Sequence, residues 1–210
     1  MNCTKVDVTS GYLTSGYHFW VFFQKWVSLL GIFTSGYFTS GYSQKWVSLL
    51  GTKVGVTSGY PYNAGILRDE TLGVLNVQSI NDQFQTNSLA PLLVTESLLD
   101  SLMDQQTLSK VVFITSRMGS ITDNTSGGRY GYRMSKVALN IGAKSMSVDL
   151  KDNNVAVAII HPGLVGTDMI GGVGNLTPDE AAQSINERID GLSLDNTGTF
   201  WHSNGEVLPW

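Results

Sequence analysis

Two uninterrupted apolar runs mark the second half of the chain, Val111-Val112-Phe113-Ile114 and Val155-Ala156-Val157-Ala158-Ile159-Ile160. Both are short, rich in β-branched residues and free of polar alternates, the pattern of strands covered on both faces in a parallel sheet. Around them the apolar period lengthens to that of helices. From Ser79 to Met103, the residues Ile80, Phe84, Leu92 and Leu99 recur on one face. Beyond Gly131, the residues Val137, Leu139, Ile141, Met146 and Val148 continue an apolar face of a second helix. Pro91 interrupts the first helix: without an N–H it leaves the Asn87 carbonyl lacking its i+4 partner, so a bend is expected there, with a carbonyl free to hold a water. Thr177-Pro178-Asp179-Glu180 is a capping box with proline at the first helical position, which predicts a helix to about Arg188 with Gly191 behind it. Gly198 to Trp201, a turn at Asn204-Gly205, and Val207 to Trp210 read as a last strand and turn. The succession of helix, strand, helix, strand and helix over residues 79–150 and 155–189 predicts an α/β fold with parallel strands at 110–115 and 155–160.

Candidate chemistry falls at the end of the first of these strands. Ser116 lies just past it, where open α/β sheets keep their reactive groups. Gly127-Gly128 then leads into a helix carrying Tyr132 and Lys136, four residues apart and hence neighbours on one face. An ammonium beside a phenol favours the phenolate, so Lys136 is expected to lower the tyrosine's pKa and make it a usable proton donor and acceptor near neutrality. Ser116 is placed to polarise the same carbonyl oxygen.

The wording Ser116-Arg-Met-Gly-Ser120, followed by Gly127-Gly128, Tyr132 and Lys136, resembles the short-chain dehydrogenase/reductase family, and within it the C-factor-like and sniffer-like carbonyl reductases. The resemblance covers residues 61–210. It implies a Rossmann-like, doubly wound parallel sheet and NAD(P)-dependent hydride transfer to or from a small carbonyl or alcohol substrate. The catalytic residues it implies are Asn87, Ser116, Tyr132 and Lys136, with Asn87 holding the water of a proton relay. Tyr62-Asn63-Ala64-Gly65 resembles the family's Asn-Asn-Ala-Gly element beneath the cofactor, with Tyr62 in place of the first asparagine and Pro61 where its strand would still run. His161-Pro162-Gly163-Leu164-Val165-Gly166-Thr167 resembles the segment that touches the nicotinamide side. The cofactor-binding residues implied are therefore Asn63, Ala64, Gly65, Tyr132, Lys136, Pro162, Gly163, Val165 and Thr167. The cofactor implied is NAD or NADP, with NADP the preference of the branch; no metal is expected. His161 itself reads as a strand-end residue, and Gly171-Gly172-Val173-Gly174 as a mobile substrate cover or a linker. The resemblance also implies a cytoplasmic homodimer or homotetramer built through the helices of Asn87 and Tyr132.

Bulk properties narrow the alternatives. A chain of 210 residues suits one domain, here a single Rossmann-like domain over 1–210. A net charge of −4 and pI near 5.2 leave no basic footprint for nucleic acid. Cys3 is the one cysteine, so neither an internal disulfide nor a cysteine-based zinc site is open to it. The apolar stretch His18 to Phe23 ends at Gln24-Lys25, far short of a membrane span.

The first 60 residues break the pattern. Thr-Ser-Gly-Tyr begins at Thr9, Thr14, Thr34, Thr39 and Thr57; Gln24 to Gly31 is repeated at Gln44 to Gly51, and Thr4 to Tyr12 nearly so at Thr52 to Tyr60. The spacing is irregular, which excludes a solenoid. The segment holds 13 of the chain's aromatics and no Ala, Glu, Arg or Pro, so it is poorly supplied for helices. It occupies the position of a dinucleotide-binding half, yet the family's Thr-Gly-x-x-x-Gly-x-Gly loop is absent; Gly51-x-x-x-Gly55-x-Thr57 comes nearest and lacks the last glycine. A rearranged or truncated chain, an artificial sequence and misassigned residue identities each account for it. Two functional readings follow: a reductase with weak hold on its dinucleotide, or a non-catalytic relative acting as a dimerising or interaction module.

Overall fold

The computed structural model describes residues 64–103 and 106–210. Expectations for residues 1–60, for Pro61 and for Asn63 lie outside the described residues. Three strands, β1 (Ser109–Ile114), β2 (Val155–His161) and β3 (Phe200–His202), form a sheet in the order β1-β2-β3. Both pairings are parallel, from Ser109↔Val155 to Ile114↔Ile160 and from Ile159↔Phe200 to His161↔His202. Helix α4 (Tyr130–Asp149) connects β1 to β2, and α5 (Pro178–Asp190) connects β2 to β3. These are two strand-helix-strand crossovers, the connection that parallel pairing requires.

The continuous apolar runs divide their side chains between two cores. On one face Val111, Phe113, Val155, Val157, Ile159 and Phe200 pack with Leu139 and Ala143 of α4. On the other, Val112, Ala156, Ala158 and Ile160 pack with Ile189 of α5 and with Leu192. Alternate residues thus face opposite helix layers, which explains why no polar position interrupts either strand and makes the sheet doubly wound. Among the described residues no helix is long and apolar enough to cross a membrane.

The helix expected over 79–103 is present but divided. It begins as α1 (Val77–Phe84), with Asn76 capping it through a bond from the Ser79 N–H at 2.9 Å. A π-helical turn, Gln85–Leu89, follows, in which the Ala90 N–H reaches back to the Gln85 carbonyl; α2 (Ala90–Ser97) and α3 (Leu99–Met103) complete the run. One extra residue in a π turn rotates the following face by about 100°. Phe84 therefore does not share a face with Leu92 and Leu99: it is 42% exposed, whereas they pack against the core. The single apolar face expected for α4 is also corrected. Leu139 and Ala143 are buried and Met146 packs beside them, but Ile141 and Val148 are 62% and 66% exposed.

The capping box of α5 forms as expected, with the Glu180 carboxylate accepting from the Thr177 N–H at 2.8 Å; the helix runs two residues beyond Arg188. The segment Gly171 to Gly174 is held to the body of the protein rather than free. The Gly172 N–H donates to the Thr167 carbonyl at 2.8 Å, and a side chain on Gly174 would collide with the Val165 and Gly166 backbone.

Candidate active site

Parallel strands bring their C-terminal ends to one edge, so the residues after β1 and after β2 meet there. Ser116 is buried and extended, and its Oγ accepts from the Met118 N–H at 3.1 Å as it caps the short turn Arg117–Gly119. That turn presses on α4. A Cβ on Gly119 would lie 2.9 Å from the Lys136 carbonyl carbon and oxygen, so glycine is required for the approach. Asn140, also buried, ties the loop down at both ends: its Oδ1 accepts from Thr115 Oγ1 at 2.6 Å, and its Nδ2 donates to the Gly119 carbonyl at 3.1 Å. Sequence reasoning passed over Asn140, although Tyr132, Lys136 and Asn140 form one series at the helical spacing of four.

The entry to α4 is unusual. Gly127, Gly128 and Arg129 have φ of 63°, 64° and 50°, a left-handed run that glycine adopts freely and arginine does not. Arg129 is held by its N–H to the Glu70 carbonyl at 2.9 Å and by its guanidinium to Asp69 at 2.8 Å. Three residues later Tyr132 lies buried, its phenol near enough to the Ser116 hydroxyl for that group to lower its pKa. Lys136, also buried, has its Nζ 5.8 Å from the Tyr132 ring centroid and donates to the Ile114 carbonyl at 3.2 Å.

Electrostatics here depart from the expected picture. Burial pushes the Tyr132 phenol above its ordinary value, and the Ser116 hydrogen bond and the Arg129 charge only partly offset it. Burial brings Lys136 down to about 8. In the protein alone, desolvation rather than the Tyr132–Lys136 pairing governs both groups. The lysine remains mostly protonated at neutral pH, and the phenol is a proton donor.

Asn87 is tied to α4 by side-chain bonds. Its Oδ1 accepts from the Ile66 N–H at 2.8 Å; its Nδ2 donates to the Ile66 carbonyl at 2.8 Å and to Ser135 Oγ at 3.0 Å. Ser135 in turn donates to the Tyr132 carbonyl at 2.8 Å. The amide therefore pins Ala64-Gly65-Ile66 against α4. One helical turn earlier, Gln83 Oε1 accepts from the Arg68 N–H at 3.0 Å. Side-chain amides thus satisfy backbone groups of this extended segment that would otherwise be orphaned. A Cβ on Gly65 would sit 3.6 Å from Met169 Cε, which joins this segment to the loop after β2.

In that loop Pro162 and Thr167 are buried, Gly163 has φ of 92°, and Val165 bridges to Leu176. A side chain on Gly163 would strike Leu176 Cδ1. His161 closes β2, as expected of a strand-end residue. Its ring meets His202 edge-on at 4.9 Å, and burial, with the nearby positive groups, lowers its pKa to about 3. Of the expected site residues, Ser116 follows β1, Tyr132 and Lys136 lie on α4, Pro162, Gly163, Val165 and Thr167 lie in the loop after β2, Asn87 holds Ile66 against α4, and Gly65 approaches Met169.

Comparison with known proteins assigns the arrangement to a family. The family model described as short chain dehydrogenase matches residues 51–175. The C-signal protein of Myxococcus xanthus is 40% identical over 139 residues, covering 66% of this chain and 83% of that protein. The 1-hydroxy-2-glutathionyl-2-methyl-3-butene dehydrogenase of Rhodococcus sp. (strain AD45) is 38% identical over 151 residues, covering 70% of this chain and 66% of its own length. Among solved structures, the carbonyl reductase Sniffer of D. melanogaster aligns with a TM-score of 0.72 at 30% identity, over 81% of this chain and 74% of that one. The NADPH-bound carbonyl reductase from chicken fatty liver aligns with a TM-score of 0.73 at 28% identity, over 82% of this chain and 74% of that one. A parallel, doubly wound sheet, a buried serine just past a strand end, a buried tyrosine near it and a lysine one turn along the same helix accompany these matches: the chain belongs to the short-chain dehydrogenase/reductase family.

Proposed function

We propose that this chain is an NAD(P)-dependent oxidoreductase that interconverts a small carbonyl compound and its alcohol, with Tyr132 exchanging the proton. The observation that carries the reading is the buried group of Ser116, Tyr132 and Lys136 at the C-terminal edge of the sheet, with Lys136 Nζ 5.8 Å from the Tyr132 ring centroid. Two buried hydroxyls at one site suit a single carbonyl oxygen: Ser116 donates to it and Tyr132 delivers or removes the proton. Asn87, whose backbone carbonyl has no i+4 N–H to accept from because Pro91 stands there, is the residue we assign to the water that returns protons by way of Lys136.

The residues present suit a nicotinamide cofactor at this edge. Lys136 carries three donor hydrogens, and its bond to the Ile114 carbonyl takes one, leaving donors for the hydroxyls of a ribose. Gly65 and Gly163 add no side chain at this edge, and Asn63, Ala64, Pro162, Val165 and Thr167 complete the proposed set of holding residues. The cofactor, when bound, supplies or accepts the hydride. NADP is favoured over NAD by the chicken reductase, which is NADPH-bound. Exposed Phe84, Leu93, Ile141 and Val148 on the helices of Asn87 and Tyr132 support assembly as a homodimer or homotetramer, and we place the protein in the cytoplasm.

A second reading rests on the absent glycine loop: with Thr57 where the last glycine belongs, the backbone cannot approach a pyrophosphate closely at a helix N-terminus. The chain would then be a non-catalytic relative acting as a dimerising or interaction module. Tyr132→Phe separates the two. Removing the proton-transferring hydroxyl is expected to lower carbonyl turnover by about 10²- to 10⁴-fold while leaving the cofactor's affinity unchanged. Turnover equal in Tyr132→Phe and the parent chain would reject the assignment, and no turnover of any carbonyl by the parent would favour the module.

A further inference from the structure

Helix α4 delivers Tyr132, yet the residue before its first turn supplies no cap: Arg129 lies in the left-handed region and makes no side-chain bond to the helix. The opening N–H groups of a helix need acceptors from elsewhere. One comes from Glu70, distant in sequence and 3% exposed. Its Oε2 accepts from the Gly131 N–H at 3.1 Å, and its Oε1 accepts from Ser79 Oγ and Gln83 Nε2, each at 2.6 Å. Its main-chain carbonyl accepts from the Arg129 N–H. Every side-chain contact is from a donor, the set an ionised carboxylate takes, and negative charge at a helix N-terminus is favourable. The basic neighbours are occupied elsewhere, Arg68 with Asp82 and Arg129 with Asp69.

Gly131 is fitted to this contact. A Cβ there would lie 3.1 Å from both Glu70 Oε1 and the Ile80 Cα and would collide with Gln83 Nε2. Helix α1 and the first turn of α4 thus meet backbone to backbone around a buried carboxylate, and the next residue after the capped one is Tyr132. We propose that Glu70 is a positioning residue for Tyr132: by capping Gly131 from outside the helix and anchoring it to Ser79 and Gln83 of α1, it fixes the turn that aims the phenol at Ser116. The role rests on the reading of Tyr132 as the proton-exchanging group.

The test uses the full chain with Glu70→Ala and Glu70→Gln, followed by amide hydrogen exchange, by titration of ¹³C-labelled tyrosine assigned through Tyr132→Phe, and by turnover. In Glu70→Ala, exchange at Gly131 and Tyr132 should accelerate at least about tenfold more than at Val157 in β2. The Tyr132 phenol, now less enclosed, should titrate closer to its ordinary value of about 10. Its kcat should fall at least about tenfold with cofactor affinity unchanged, and Glu70→Gln, equal in size with one acceptor oxygen, should lie between. Equal acceleration at Val157, or unchanged exchange, titration and kcat, would overturn the proposal. Should Glu70→Ala fail to fold, Ser79→Ala removes one anchoring donor and must move the same readouts in the same direction; no movement there overturns it too. A parent chain without turnover whose Gly131 exchange and Tyr132 titration still respond would retire the reductase reading and keep the cap. Turnover that Glu70→Ala leaves intact would do the reverse.

Discussion

Lys136 shows how far burial reaches at the scale of one residue. Its pKa falls from 10.5 to about 8 on burial, a cost to the fold of roughly 3 kcal/mol while the lysine is charged. Because the depressed group is a base, the full cost applies below pH 8 and fades as pH rises from 8 toward 10.5. Above pH 10 Tyr132 acts in the opposite sense: its raised pKa means that the unfolded chain ionises first, so stability is lost there. Lys136→Met should accordingly unfold at higher urea than the parent at pH 7, by about 2 kcal/mol, and the gap should narrow toward pH 10. A variant less stable than the parent at pH 7 would show that the ammonium is better compensated than its surroundings imply. The four-residue spacing of Tyr132 and Lys136 was legible in the sequence because helix geometry alone makes it. The direction of the tyrosine's shift was not, since desolvation depends on what packs around the ring. Glu70 was invisible for the same reason: its partners Ser79, Gln83 and Gly131 come from two other elements.

At the scale of elements, β1 and β2 were readable because a strand buried on both faces writes itself as an unbroken apolar run. Their parallel pairing follows from the helix between them. The capping box of α5 was equally plain, being local. The break at Pro91 was foreseen but its form was not: the sequence signals a lost hydrogen bond, and whether the chain answers with a kink or with the wide turn at Gln85–Leu89 depends on packing against α4. Gly119 lets the Ser116 turn press on the backbone of α4, where a Cβ would lie 2.9 Å from the Lys136 carbonyl, and its role is readable only from the structure. Gly119→Ala should cost about 1–3 kcal/mol in urea unfolding, as overpacking does. Because the Lys136 backbone cannot yield, the turn bearing Ser116 must move, so turnover should fall at least about tenfold. Undiminished turnover would mean that Ser116 tolerates displacement and is not a precise donor.

At the scale of the whole molecule, the chain has two parts of different character. In the described residues the two apolar strand runs, the Thr177 capping box and the order of the sheet agree with one fold. The first 60 residues offer no such agreement: valines alternate as in a strand only over 5–8 and 53–56, the blocks at Gln24 and Gln44 suit a short helix or a strand equally, and the irregular repeats select no one arrangement. In the described sheet β1 is an edge, and the strand expected beside it, ending at Asn63-Ala64-Gly65, falls at the margin of the described residues. What the family places there is the phosphate cradle, and Thr57 stands at its last glycine. The proposed reductase therefore combines an acid-base site at Tyr132 with a weak hold on the dinucleotide. The most direct test is the initial rate of carbonyl reduction as NADPH is raised to about 10 mM, using protein whose sequence is verified by mass spectrometry. The predicted result is turnover that depends on Tyr132 and climbs without saturating until NADPH is about millimolar, the range of a complex held by only about 4 kcal/mol. Saturation at micromolar NADPH would contradict the weak hold, and no turnover at the highest concentration would contradict the reductase itself.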